Sequence, residues 1–262
     1  MKSLAYGVGL NDFFRTSAGP TSEINQMTEP MNQDYQTVAK IIQQRRTFKV
    51  LANVDSPVEF SGPSDQAHRA TIRDAIAHSD WAPFHYDRDS DAVPQPWRFY
   101  ALWSPACRTI AREFHNWFSD VKPSNKLPSM LSACGALILV NWIPQFSFGA
   151  NPNGGDQKNQ SREKQIQIDE EHLAATSAAV QNLLLLLTAA GMGTYWSSGG
   201  QFRTATMQQK LQIPTTERLL AAVFVEFPDS MSDIESDLQR LPGKQRDRRA
   251  PIENWMREIE TI

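Results

Sequence analysis

Apolar positions along the chain recur with two periods. From Tyr35 to Arg46, Val38, Ile41 and Ile42 return at steps of three and four, which is one helix face, and Asp34 stands where an acidic cap would. A second helical pattern runs from Ser64 to Ser79, with Ser64 as cap and Ala67, Ala70, Ile72, Ala75 and Ile76 apolar. "WRFYALW" at 97–103 is aromatic-rich and predicts a strand. "SPACRTIAREFHNWFSD" then predicts a helix, with Ser104 at its cap and proline at its first position. "GALILVNW" is a continuous apolar run of strand length, the mark of a central strand. The strongest helix spans Asp169 to Ala190 and holds leucine at every position from 183 to 187. A helix apolar on all sides is expected to be buried centrally. "GMG" ends it, and "YWSSGGQF" follows. A short helix near 204–211 and a last strand "LLAAVFVEF" complete the predicted core. The charged tail from 229 turns helical at "PIENWMREIE".

The polar stretches divide the chain. Residues 1–34 show no period and read as a loosely ordered arm before a domain at 35–262. "DWAPFHYDRDSDAVPQP" carries three prolines and a run of charges, which exclude regular structure. Residues 143–166 have the composition of a mobile loop. No internal repeat is present. Few strands and much helix predict an α+β or mixed α/β chain.

Composition narrows the function classes. With 262 residues, 40% hydrophobic and 21% charged, a sizeable core is available and global disorder is excluded. A net charge of −3 lacks the basic surplus of a nucleic-acid footprint. Cys107 and Cys134 have no metal-ligand spacing, and no metal site is expected. A reducing compartment is the first reading of the pair and a single disulfide the second. The N-terminus has no sustained apolar region, so no signal peptide and a cytoplasmic location are expected. "NLLLLLTAAGMG" falls short of a bilayer span and reads as a buried helix, so no membrane partner is expected.

Three segments could carry chemistry. "RRTFK" at 45–49 packs three cations around a hydroxyl. At a helix end these could face solvent and the C-terminal dipole, or they could hold a phosphate, which wants forked guanidinium donors plus a hydroxyl. "APFHYDRDSDAVPQPWRFY" is either a surface loop leading to a core Trp97 or a polar wall against a planar ligand. "GMGTYWSSGGQF" is either a helix cap and turn or a place where backbone N–H groups approach a ligand closely. It is not the dinucleotide G-x-G-x-x-G fingerprint, because no strand is predicted before it. His172 reads as a helix-surface histidine.

Taken in order, "IIQQRRTFK", "AP…QPWRF" and "QNLLLLLTAAGMGTYWSSG" before "LLAAVFVEFP" resemble the FMN-dependent nitroreductase family over roughly residues 35–260. The resemblance implies a nitroreductase-like α+β fold with a central mixed or antiparallel sheet flanked by helices. It also implies an intertwined homodimer with FMN in two clefts at its interface. Arg45 and Thr47 match the family's phosphate-contacting arginine and serine, and Arg46 the second arginine. Lys49 matches the basic residue near flavin N1 and the C2 carbonyl. Trp196, Ser197 and Ser198 match the segment whose backbone passes the N5 side. "RRAPIENW" resembles the family's late R-x-P element, so that Arg249, or Arg248 beside it, is a second phosphate ligand. His85 falls, when "AP" is aligned, at a position that reaches the partner subunit's flavin. Gln95 stands in the "QPW" element, and Val93 occupies the family's asparagine position. The implied activity carries a hydride from NAD(P)H through flavin N5 to a nitroaromatic, quinone or similar small acceptor. The alternative is a flavin-binding or scaffold relative without that activity.

Overall fold

The computed structural model describes residues 32–86, 88, 93–122, 125–146, 161–228, 238–243 and 250–259. Most of the arm at 1–34, most of the loop at 143–166, and both Arg248 and Arg249 lie outside them.

Helix α1 (Gln33–Gln44) is capped by Asn32, whose side chain accepts from the Asp34 N–H, rather than by Asp34 itself. It leads into a short strand β1 (Phe48–Leu51) that has no alternating pattern of its own. Then come α2 (Gly62–Ser79), β2 (Trp97–Trp103), α3 (Ser104–Trp117), α4 (Leu127–Ala133) and β3 (Ala136–Trp142). The long helix α5 (Arg162–Ala189) starts seven residues before the predicted Asp169, because the Ser161 hydroxyl accepts from the Lys164 N–H and opens it there. After it follow β4 (Gly193–Ser197), a 3₁₀ turn at Gly200–Arg203, α6 (Ala205–Lys210), β5 (Arg218–Glu226) and β6 (Gln239–Pro242). Among the described residues the tail is helical only as one 3₁₀ turn, Ile252–Asn254, which does not continue through 255–259 as "PIENWMREIE" predicts.

Four strands form an antiparallel sheet in the order β2-β3-β5-β4. β1 and β6 form a separate antiparallel pair, with Lys49 opposite Leu241. β3 is central, as its apolar run predicts, and alternates between two cores. Leu137 and Leu139 join the layer of α3 and α4 with Phe114, Leu131 and Phe202. Ala136, Ile138 and Val140 join the layer of α2 and α5 with Ile72, Leu183, Leu184 and Leu187. α5 is long and apolar enough, by length and composition alone, to span a bilayer, but these leucines make it the central helix of the second core. It is not buried on all sides: Leu186 is exposed. Cys107 and Cys134 are free thiols, both buried in the first core.

Candidate functional site

The "RRTFK" segment begins where α1 stops. Arg45 leaves helical geometry at φ −53 and ψ 123, and its N–H still donates to the Ile41 carbonyl at 2.9 Å. Arg46 turns back on the helix end: its Nη1 donates to the carbonyls of Gln43 and Arg45. That is the dipole-facing role of a basic residue at a helix C-terminus, and its side chain is exposed. Thr47 is half-buried and bridges Thr194 of β4 in parallel. The Thr47 carbonyl also accepts from the Gly243 N–H at 3.0 Å. Lys49 places its Nζ over the Tyr195 ring, 4.7 Å from the centroid.

The "TYWSSGG" segment is set by the end of α5. Gly191, at φ 75, donates to Thr188 O, and Met192 donates to Leu187 O, which closes the helix and sends the chain into β4. A helix, not a strand, precedes "GMGTYWSSGGQF", as expected; the five-residue β4 lies within the segment, just before the serine–glycine turn. Ser197 Oγ accepts from the Gly199 N–H at 3.2 Å. Gly199 and Gly200 both have positive φ, at 103 and 50. A side chain at Gly199 would also meet Leu219 Cδ2 at 2.3 Å, so glycine is required there by both torsion and space. The Ser198 carbonyl accepts from Arg203 Nε. Trp196 is 38% exposed beside this turn, and Ser198 is exposed.

The structure thus joins Arg45, Thr47 and Lys49 to Trp196, Ser197 and Ser198 through the Thr47–Thr194 bridge. His85 and Gln95 are not part of this grouping within one chain. Gln95 donates to the Asp80 carboxylate at 3.0 Å, which also accepts from the Trp97 indole at 3.0 Å. His85 is exposed, 4.0 Å from Glu171 on α5. Trp97 opens β2, three strand spacings or about 14 Å from β4. Sequence reasoning missed Thr194, Tyr195, Gly199 and Arg203; the consecutive glycines were the one local signal for them.

Two buried titratable groups stand elsewhere. His172 is buried, not on the helix surface as expected, and its Nε2 lies 3.1 Å from the Tyr86 carbonyl. Burial holds its pKa below the ordinary value, and Arg88 acts in the same direction. Glu217 accepts from the Tyr100 hydroxyl and from Asn141 Nδ2, both at 2.9 Å. Burial first, and then the Glu217 carboxylate, push the Tyr100 phenol well above its ordinary range.

An α+β core with an antiparallel sheet, and a cationic segment bridged to a glycine turn, define the class. A model of the nitroreductase family matches residues 64–225, and the chain belongs to that family. It is 25% identical over 181 residues to YfhC of Bacillus subtilis (strain 168), a protein whose name proposes an NAD(P)H nitroreductase. That match covers 68% of this chain and 81% of that protein. In fold it is similar to a nitroreductase-like family protein from Bacillus cereus, at 20% identity and TM-score 0.56, over 86% of this chain and 96% of that one. It is also similar to the nitroreductase CinD from Lactococcus lactis, solved in complex with nicotinic acid, at 13% identity and TM-score 0.50, over 81% of this chain and 98% of that one. The matched family span begins after the "RRTFK" segment.

Proposed function

We propose that the chain is an FMN-dependent oxidoreductase, working as a homodimer, that carries electrons from NAD(P)H to a nitroaromatic, quinone or similar small acceptor. The observation that carries this reading is the Thr47–Thr194 bridge, which sets the cationic segment against the serine–glycine turn. The residues fit the cofactor. Thr194 Oγ1 is buried and has no hydrogen-bond partner among the described residues. Gly200, at positive φ and with nothing within 4 Å of where a Cβ would stand, leaves its backbone open to close approach.

When bound, FMN would supply the two-electron hydride chemistry between donor and acceptor. Arg45 and Thr47 would hold its phosphate with charge-assisted bonds. Arg249, or Arg248, would add a second guanidinium. These follow Gly243 closely in sequence, and Gly243 is tied to Thr47. Arg46, committed to its own helix end, would contribute field rather than contact. Lys49 would place positive charge at the ring. Trp196 and the backbone of Ser197 and Ser198 would cover its other side and exclude water.

Exposed apolar groups support the dimer. α1 has no buried residue and exposes Tyr35, Val38 and Ile42. Trp81 is 85% exposed. A groove of about 370 Å³ runs between Val38, Ile41, Trp81, Leu185 and Leu186. Residues 250–259 lie exposed along their length, with Ile252, Trp255, Met256 and Ile259 among them. A single chain presenting so much apolar surface suits a partner that wraps it, and exposed His85 could then reach the partner's cofactor.

The test is an absorbance spectrum of the purified protein with FMN, followed by anaerobic titration with NADH and NADPH. Flavin bands that bleach on titration support the reading. Colourless protein that takes up no added FMN overturns it.

A further inference from the structure

A pocket of about 550 Å³ lies between the segment following β1, the start of α3 and the end of α4. Its walls include Asp55, Glu59, Arg108, Arg112 and Ser132. Arg108 and Arg112 stand one turn apart on a single face of α3. Arg108 is buried, with 6% exposure. Its Nε and Nη2 donate to the Val58 carbonyl at 3.1 and 2.6 Å, and its Nη1 donates to the Leu131 carbonyl. A guanidinium has five N–H donors, and these bonds use three of them. Among the described residues no carboxylate lies within ion-pair distance of it; its charge is met by those carbonyl dipoles, by the Phe60 ring 5.7 Å from the guanidinium carbon, and by the neighbouring Cys134 thiol. A buried cation without a counter-charge is costly. Ser132 is fully buried, and its Oγ has no hydrogen-bond partner among the described residues. The wall between them is fixed, because the Val58 N–H donates to the Ser132 carbonyl at 3.0 Å.

Arg108 does staple the β1–α2 segment to α4. That role alone leaves a cationic charge with no carboxylate beside it, and a buried hydroxyl with no partner among the described residues, at one pocket. We propose that this pocket is a second anion-binding site, taking the carboxylate or phosphate group of a small molecule. Its size suits a small ligand. Asp55 and Glu59 repel polyanions, so the occupant carries one anionic head. The pocket lining includes no residue of the "RRTFK" segment. α4 ends where β3 begins, and the register pairs Ala136 with Val225 and Gly193 with Glu226, whereas Ser197 pairs with Ala222. The pocket therefore lies toward the end of the sheet opposite the serine–glycine turn.

The experiment titrates the full chain at low ionic strength with inorganic phosphate and, separately, with propionate, by isothermal calorimetry. Arg112→Gln and Ser132→Ala keep the carbonyl bonds of Arg108, and melting curves check that each variant is folded. Arg45→Ala removes the proposed phosphate-holding cation of the "RRTFK" segment. Binding is expected in the wild type and in Arg45→Ala, and is expected to weaken roughly tenfold or more in Arg112→Gln or Ser132→Ala. Heat with phosphate alone identifies a tetrahedral head, and heat with propionate a carboxylate. No binding of either ligand, binding unchanged in both pocket variants, or binding abolished in Arg45→Ala overturns the proposal.

Discussion

At the residue scale, the proposed FMN site has Lys49 and Arg45 divide the work of one short segment. Phosphate affinity is indifferent to flavin oxidation state, whereas a cation beside the ring favours the reduced anion. Lys49→Met keeps the aliphatic stem and deletes the charge. It is expected to make the FMN potential more negative with only a modest loss of oxidised-FMN binding. Arg45→Ala is expected to reverse that pattern, with FMN affinity down roughly 10- to 150-fold and the potential nearly unchanged. Measurement of both potentials against a redox dye decides it. An unmoved potential in Lys49→Met would mean that the ammonium serves only the Tyr195 ring beneath it. His172 carries a pH dependence. Burial lowers its pKa first, Arg88 adds to that, and Asp169 opposes it. The folded state then binds the proton less readily than the unfolded chain. Stability present above about pH 6.5 is lost as the pH falls through the lowered value. The Asp169 carboxyl, raised by its own burial, acts with the opposite sign: the stability it gives is lost as the pH rises through its raised value. His172→Gln can still donate to the Tyr86 carbonyl. Its melting temperature is expected to fall less between pH 7 and 5.5 than that of the wild type, and equal slopes would count against the burial argument.

At the element scale, α5 has two faces within one leucine run. Leu187 is fully buried between the helix and the sheet, so Leu187→Ala is expected to cost about 2–5 kcal/mol in denaturant unfolding. A loss well under 1 kcal/mol would show that the core closes over the gap. The run read as apolar on all sides because five leucines in a row erase the period that would mark a face. β2, β3, α2 and β5 were legible because each carries its own pattern over seven or more residues. β1, β4 and β6 have only four or five residues each, too short for alternation to register, and they depend on partners distant in sequence. α4 was missed for a similar reason: it has seven residues and a proline at its start. The candidate site shares that limit. "RRTFK" and "TYWSS" were legible as a pair only through family resemblance, since nothing local in either announces the Thr47–Thr194 bridge. Arg108 was invisible because an arginine on an amphipathic helix ordinarily faces water.

At the scale of the whole molecule, the apolar groove on α1 and α5 is the seat of the proposed second copy. An interface well above the standard ~1,600 Å² is expected, and light scattering that gave a monomer at micromolar concentration would refute it. Leu186→Lys places a charge in that groove without touching the buried face of α5. It is expected to shift the protein toward monomer while leaving its far-ultraviolet circular dichroism unchanged, and a variant still dimeric at the same concentration would move the interface elsewhere. The pairing of β1 with β6 has a further consequence, in the order of events on the ribosome. A growing chain exposes Lys49 first and its partner Leu241 about 190 residues later. At roughly 5–20 residues per second, that is a wait of about 10–40 s. Through that interval the inner sheet has all its strands only once β5 has emerged, and the threonine of "RRTFK" still lacks the Gly243 amide that fixes its carbonyl. The β1–β6 pair therefore closes late in the nascent protein. A chain stalled between β5 and β6 would carry every strand of the inner sheet and an unfinished cationic edge.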